Sequence, residues 1–303
     1  MFMSFSIVIP TYNREKDLNK CLNSIFVQSL LPQEIIIVDD GLLPDNFIAK
    51  INCQATALNI NLVYCLKNHD IERRGLSESK NKALGLIKNS VFFIFDDDVV
   101  LRPDYCQEIM KIWDSNKNNN LIGVGGIIIN RRKRSIVEKI FHTFFGLGSR
   151  YEWDVNKVGF QVWNEEVTGS VKGYYAHGGA CSYCLYKSKE LSFTNFSGGR
   201  TALEDVDFCL RAKNKGYYFI IQPSAQLFHY ASEISRDSYR LMGFKEGSNR
   251  RLIFTINNPN PSLFLKVWFY WASLGWVLRQ FLIGHFSKGF GLIQGIFQKS
   301  HLL

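Results

Sequence analysis

The sequence predicts an α/β protein built on an open, doubly wound, mostly parallel sheet and followed by apolar C-terminal helices. Three observations carry that expectation. Short apolar runs alternate with helical patterns through the N-terminal third of the chain. The runs are apolar throughout rather than alternating, which suits parallel strands buried on both faces. Two of them stop abruptly at acidic clusters, on the carboxyl edge where such sheets bind ligands.

Ser6-Ile7-Val8-Ile9 is a β-branched run closed by Pro10. Leu18, Cys21, Leu22, Ile25 and Phe26 then recur at helical spacing, and Asn13 is the expected N-cap of that helix. Glu34 to Val38 and Leu62 to Leu66 are the second and third strands. Gly75 to Lys88 reads as a helix with Leu76, Ala83, Leu84 and Ile87 on one face. Val91 to Phe95 is the fourth strand. Leu121 to Ile129 and Gly178 to Tyr186 read as further strands. Val206 to Lys215 reads as a helix stopped by Gly216, and Tyr217 to Ile221 as a last strand. From Ser262 onward the pattern is apolar and helical.

The chain has 303 residues, enough for one large α/β domain with or without an appendage. Its 46% hydrophobic and 21% charged content excludes disorder. A net charge of +9 points to nucleic acid, anionic lipid or a phosphorylated ligand. No nucleic-acid fingerprint is present, so nucleic acid is set aside. The seven cysteines are odd in number and scattered, and Cys181-x-x-Cys184 has no second pair, which argues against zinc and for a reducing compartment. The N-terminus shows no secretory pattern. A cytoplasmic location is therefore expected, at the cytoplasmic face of the inner membrane if the terminal helices bind lipid.

The acidic clusters carry the chemistry. Ile35 to Val38 runs into Asp39-Asp40-Gly41, and Val91 to Phe95 into Asp96-Asp97-Asp98. Adjacent carboxylates repel one another and call for a counter-charge. A hard divalent cation supplies one and accepts phosphate oxygens as further ligands. Solvated turns are the plainer reading of each cluster alone. A third group, Glu204-Asp205-Val206-Asp207, directly precedes a helical pattern. It reads either as helix capping or as a general base.

In order along the chain, these residues resemble glycosyltransferase family 2, whose fold is called GT-A. The resemblance spans about residues 4–232. Ile7 to Arg14 resembles the family's opening strand and donor turn, and Glu34 to Gly41 its nucleotide-binding strand. Gly75 to Ala83 is similar to the helix beside the nucleotide, and Phe95-Asp96-Asp97-Asp98 to the DxD metal motif. Gly178-Gly179-Ala180 resembles the acceptor-side turn. Glu204 to Arg211 is similar to the ED motif, and His229 to a histidine that some members add to the metal site.

The resemblance implies an inverting transfer of a single sugar from a nucleotide-diphosphate-sugar (UDP-, GDP- or dTDP-linked) with Mn²⁺ or Mg²⁺. It implies that Pro10, Tyr12 and Asp40 hold the nucleoside, Asp39 supports that donor turn, and Lys80, standing where the family has arginine, contacts the donor. Asp96 would face the donor, beside Asp97 on the donor side, and Asp98 and His229 would bind metal. Gly178 and Gly179 would border the acceptor, with Asp205 as base and Glu204 orienting base or acceptor. Leu42-Leu43-Pro44 departs from the polar residue usual after Asp-Asp-Gly. The Q-x-x-R-W motif of processive synthases is absent, which favours single transfer.

On this reading residues 1–235 form the catalytic domain, with a donor half at 1–120 and an acceptor half at 121–235, and residues 236–303 form the helical region. Arg73 and Arg74 are expected in solvent, and His177 is given no role. Trp268, Phe269, Tyr270, Trp271 and Trp276 beside Lys266 and Arg279 suit a helix lying at a membrane interface. Arg131-Arg132-Lys133-Arg134, followed by Phe141, Phe144 and Phe145, would add contact with anionic lipid. Core packing or an oligomer contact is the alternative. Membrane contact makes a glycan or lipid-linked acceptor natural, as in surface polysaccharide synthesis. Two other functions stand beside this one: an inactive relative serving as a membrane assembly partner, and a sugar-nucleotide nucleotidyltransferase. The second lacks its usual Gly-rich loop here.

Overall fold

The computed structural model describes residues 2–164, 166–196, 202–232 and 237–297. The N-terminal half contains β1 (Phe5–Thr11), α1 (Glu15–Phe26), β2 (Glu34–Asp39), α2 (Asp45–Ala57), β3 (Asn61–Leu66) and α3 (Leu76–Leu86). It continues with β4 (Val91–Phe95), β5 (Val99–Leu101), α4 (Tyr105–Ser115), β6 (Leu121–Ile128) and α5 (Ile136–Phe144). Next come the short strands β7 (Asp154–Val155), β8 (Gln161–Val162) and β9 (Val171–Gly173), then β10 (Ala180–Cys184), α6 (Leu185–Leu191), α7 (Glu204–Asn214) and β11 (Tyr218–His229). Three helices close the described chain: α8 (Tyr239–Asn257), α9 (Leu263–Leu282) and α10 (Phe286–Phe297).

Among the described residues the main sheet runs β3-β2-β1-β4-β10-β6-β11-β5, with β9 also on β11. The first four strands are parallel, β10 is antiparallel to both neighbours, and β6 and β11 are parallel. The expected open, mostly parallel sheet is thus present. Its strands are apolar throughout because each feeds two cores. Ile7, Ile9, Phe93 and Phe95 face one side, and Val8, Phe92 and Ile94 the other, as the two-residue strand period requires. A third core lies under α9 and α10, where Phe145, Phe269 and Leu292 meet.

Several sequence expectations are corrected. Asn13 does not cap α1. It takes a positive φ of 53°, and its Oδ1 accepts from the Leu42 amide instead. The Asx tolerance of left-handed backbone explains the exchange. The acidic Glu204-Asp205-Val206-Asp207 run lies inside the first turn of α7 rather than before it. β11 extends well past Ile221, because register shifts between Ile221 and Gln226 accommodate Pro223. α2, α4 and α8 were not among the expected elements. The boundary expected at residues 235/236 lies outside the described residues.

The terminal helices pack one face into the core and leave apolar side chains on the other exposed. Phe269 and Ala272 of α9 are buried, while Leu263, Phe264 and Leu282 are exposed. No described helix is long and apolar enough to cross a membrane. α8 and α10 touch backbone to backbone. A Cβ on Gly243 would fall 2.1 Å from the Lys288 carbonyl oxygen, and one on Gly295 2.2 Å from that of Phe244. Only residues without side chains permit that approach.

Candidate active site

β1 lies between β2 and β4, so Pro10, Asp39 and the Asp96-Asp97-Asp98 turn come out together at one sheet edge. The antiparallel β5 then adds a residue from far along the chain. Its Val99 pairs with His229 of β11, and the Tyr230 amide donates to the Asp98 carbonyl at 2.9 Å. That register places His229 Nε2 2.9 Å from Asp98 Oδ1 and 4.0 Å from Asp96 Oδ2.

The three acidic residues after β4 have distinct surroundings. Asp97 is buried and accepts from Thr11 Oγ1 and Arg14 Nη1, both at 2.8 Å. Burial pushes its carboxyl up to about 6, against the pull of Arg14 and Thr11. It therefore fastens β4 to β1 and the arginine. Asp98 accepts from the Ser232 amide at 2.8 Å through Oδ2. Burial would raise its carboxyl, but the His229 contact, the Ser232 amide and Arg14 carry it down to about 2. Asp96 is the most open of the three and borders the cleft.

Asp96, Asp98 and His229 offer ligand atoms that all lie within 4.8 Å of one another. The donor set is two carboxylates and an imidazole, and Asp98 Oδ1 is buried with His229 as its contact among the described residues. This set fits a hard divalent ion that keeps open positions for phosphate oxygens.

The cleft over these strand ends encloses about 390 Å³. Pro10 and Tyr12 at the end of β1, Asp40 after β2, Arg74 before α3 and Lys245 of α8 form its walls. Asp40 is pinned there by the Gly75 amide (2.8 Å) and the Lys67 ammonium (2.7 Å). Asp39 lies beneath the cleft, fully buried. It accepts from the Gly41 and Leu43 amides and the Tyr64 hydroxyl, each at 2.8 Å, so it holds the turn. Leu42-Leu43-Pro44 is tolerated because Leu43 contributes its amide, not its side chain.

A second cavity of about 210 Å³ shares Leu76, Asp96 and His229 with the first. It adds Gly178, Gly179, Glu204 and Asp205. The glycine pair joins the two cavities for a steric reason. A Cβ on Gly179 would sit 2.1 Å from the Asp96 carboxylate, and one on Gly178 2.6 Å from Asp205 Cβ. Asp205 Oδ2 accepts from the Tyr175 hydroxyl (3.1 Å) and the Gly178 amide (3.3 Å). Asp98 and Asp205 thus border one continuous cleft.

Lys80 is placed differently from the donor contact that the resemblance implied. It is buried, and its ammonium lies 3.0 Å from Glu204 Oε1. Burial would lower the Lys80 ammonium, but Glu204, Asp96 and Asp205 hold it above the usual lysine value. Lys80 stays charged under the acceptor cavity, and Glu204 is oriented by it. Arg74, expected in solvent, donates to the Asp40 carbonyl at 3.1 Å and lies over the Tyr12 ring.

Four residues stand at the site without having been expected there. Arg14 stood in the opening motif, and its proximity to Asp97 and Asp98 gives it a place there. Lys245 on α8 gave no periodic signal. His177, given no role, and Arg131, expected at anionic lipid, line the acceptor cavity 2.9 Å apart.

Comparison with known proteins identifies the family and the fold. The family model described as glycosyl transferase family 2 matches residues 6–169, and that of glycosyl transferase family group 2 matches residues 91–294. A relative from Haloferax volcanii, the glucosyl-dolichyl phosphate glucuronosyltransferase, is 24% identical over 153 residues, 49% of this chain and 46% of the relative. The chain therefore spans under half of that protein. The mannosyltransferase PcManGT from Pyrobaculum calidifontis, in complex with GDP-Man and Mn²⁺, superposes with a TM-score of 0.60 at 13% identity, over 99% of this chain and 88% of that one. S. aureus TarS 1–349 in complex with UDP-GlcNAc superposes with a TM-score of 0.57 at 17% identity, over 92% of this chain and 73% of that one. Likeness at these identities establishes the GT-A fold.

Proposed function

Because the chain belongs to glycosyl transferase family 2, we propose that it transfers a single sugar from a nucleotide-diphosphate-sugar to a glycan or lipid-linked acceptor, with inversion at the anomeric carbon. The observation that carries this reading is one continuous cleft. It holds the Asp96, Asp98 and His229 set at one end and the Asp205 carboxylate at the other, with Gly178 and Gly179 between them.

The nucleoside lies between Tyr12, Pro10 and Asp40, with Arg74 closing over the tyrosine ring. Asp98 and His229 would hold a divalent ion, Mn²⁺ or Mg²⁺, and Asp96 would face the donor. Such an ion would supply positive charge to the departing diphosphate. Arg14 keeps Asp97 and Asp98 in place. Asp205 takes the proton from the acceptor hydroxyl as its oxygen attacks the anomeric carbon. The Tyr175 hydroxyl and the Gly178 amide fix the position of its Oδ2 in the cleft. Glu204, steadied by Lys80, orients the acceptor side. Residues 1–120 serve the donor and 121–235 the acceptor and base.

The exposed apolar residues of α5 and α9 support peripheral membrane contact, which would place the protein at the cytoplasmic face of its membrane. The relative named for a dolichyl phosphate substrate supports a lipid-linked acceptor, and the solved structures with GDP-Man and UDP-GlcNAc support a nucleotide-sugar donor.

The test is a screen of UDP-, GDP- and dTDP-sugars with the full chain in Mn²⁺ or Mg²⁺. Release of nucleoside diphosphate from one donor, abolished by EDTA, is the expected result. Release of pyrophosphate would mark a nucleotidyltransferase. An unchanged cellular glycan after Asp98→Ala and Asp205→Asn would mark an inactive assembly partner.

A further inference from the structure

Tyr175 and His177 lie in the acceptor cavity between the Asp205 carboxylate and Arg131. We propose that Tyr175 is a positioning residue for Asp205, aimed at it by a one-way chain of hydrogen bonds that starts at Arg131 and passes through His177. The inference rests on the glycosyltransferase reading above and adds two residues to its acceptor side.

The direction of the chain follows from its fixed end. Arg131 Nη1 lies 2.9 Å from His177 Nε2. A guanidinium has donors only, so Nε2 at that distance accepts. Burial, then Arg131 and His229, hold His177 well below the usual histidine value, so the ring is neutral and carries one N–H. That hydrogen is therefore on Nδ1. The Tyr175 hydroxyl oxygen, 3.2 Å from Nδ1, accepts from it. Arg131 Nη1 is also 3.2 Å from Nδ1, but two donors make no bond. Burial and the neighbouring Asp205 push the Tyr175 phenol well above the usual tyrosine value, so it keeps its proton. With its oxygen accepting from the imidazole, its O–H turns to Asp205 Oδ2, 3.1 Å away.

Aromatic walls keep the chain in place. The Trp153 ring centre is 5.2 Å from that of His177 and 6.5 Å from that of Tyr175, and Trp163 lies 5.6 Å and 6.3 Å from the same two rings. The Arg131 guanidinium rests over Trp163 as well, 5.4 Å from its centre. Tyr175 and His177 are buried, so water competes little for these bonds. The chain thus ties the segment after β6 and the approach to β10 to the first turn of α7, where Asp205 stands. In the reaction the acceptor O–H bond breaks and its proton goes to Asp205. The electron pair released forms the bond to the anomeric carbon, and the diphosphate leaves with the pair of the bond that breaks there. A guanidinium accepts no proton, so the chain cannot carry this one onward. It clamps the carboxylate, and the proton leaves through the cleft.

Two measurements test this. The first needs no substrate: nitrogen NMR of the full chain labelled at its histidines, with His177→Asn identifying the resonances of that ring. A neutral ring with its hydrogen on Nδ1 is expected. A hydrogen on Nε2, or a charged ring, overturns the chain. The second is the rate of nucleoside diphosphate release from the UDP-, GDP- or dTDP-sugar that turns over, with water as the nucleophile that Asp205 deprotonates. Tyr175→Phe is expected to lower kcat about 10- to 100-fold, the loss of a hydrogen bond to a charged group, with the donor KM unchanged. In an Asp205→Asn background the same substitution should cost nothing further, and losses that multiply overturn the positioning role. His177→Leu should lower kcat too, whereas His177→Asn, whose amide N–H stands in for Nδ1–H, should recover most of it. An Asn variant no better than Leu overturns the passage through His177. Absence of turnover in the unaltered chain overturns the glycosyltransferase reading and the task of Tyr175 with it. The tautomer is read without turnover, so the two failures are distinguishable.

Discussion

At Asp205 one substituted atom separates chemistry from binding. Asp205→Asn keeps the shape and an acceptor oxygen for Tyr175 and Gly178 but removes the base. Turnover with acceptor is expected to fall about 10²- to 10⁴-fold, while donor affinity measured by calorimetry holds. An undiminished kcat would remove Asp205 from the mechanism. Gly179→Ala acts on the other end of the cleft. The new methyl would enter the Asp96 carboxylate, which must turn away. A displacement near 1 Å at such a group costs about 100-fold in kcat, with circular dichroism unchanged. Both residues were legible because their motifs stood at strand and helix ends. Asn13 and Lys80 were not. A spacing pattern does not show that an asparagine adopts a positive φ, or which carboxylate a lysine finds 124 positions away.

The pairing of Lys80 with Glu204 joins α3 to α7 and belongs to the scale of elements. Both side chains are buried, so removal of one leaves an uncompensated charge. Lys80→Met is expected to destabilise the protein by about 3–5 kcal/mol in urea denaturation. Glu204→Gln with Lys80→Met should recover part of that loss, and strictly additive losses would show that the pair is not coupled. The strands were readable at this scale because burial on both faces writes itself as an unbroken apolar run. α2 buries Phe47, Ile51 and Ala55 and α4 buries Tyr105, Cys106, Ile109 and Met110, one face each at helical spacing, so both carried the same signal as α1. β11 outran its expected end because a bulge, invisible in composition, carries it past Pro223 to His229. That extension brings His229 to Asp98.

The whole molecule carries a formal charge of +9, and its exposed apolar residues gather on α5, α9 and α10. A cationic surface beside such a face attracts anionic headgroups at roughly 1 kcal/mol per basic residue near the surface. The full chain is expected to float with vesicles containing phosphatidylglycerol, to float less with neutral ones, and to come off in part as salt is raised. Indifference to vesicle charge would sink the membrane contact. The terminal helices were foreseen as apolar. Their division into a core face and an open face was not, because aromatic residues point all around α9.

Lys245, on the wall of the cleft, belongs to α8, and α8 rests on α10 with nothing but glycine at Gly243, Gly247, Gly291 and Gly295. Such a joint has no padding. A side chain between two helices can rotate to absorb a small shove, whereas abutting main chains pass it on. α8 and α10 therefore have no side-chain layer between them at these positions, and a displacement of α10 would have to displace α8 and, with it, Lys245.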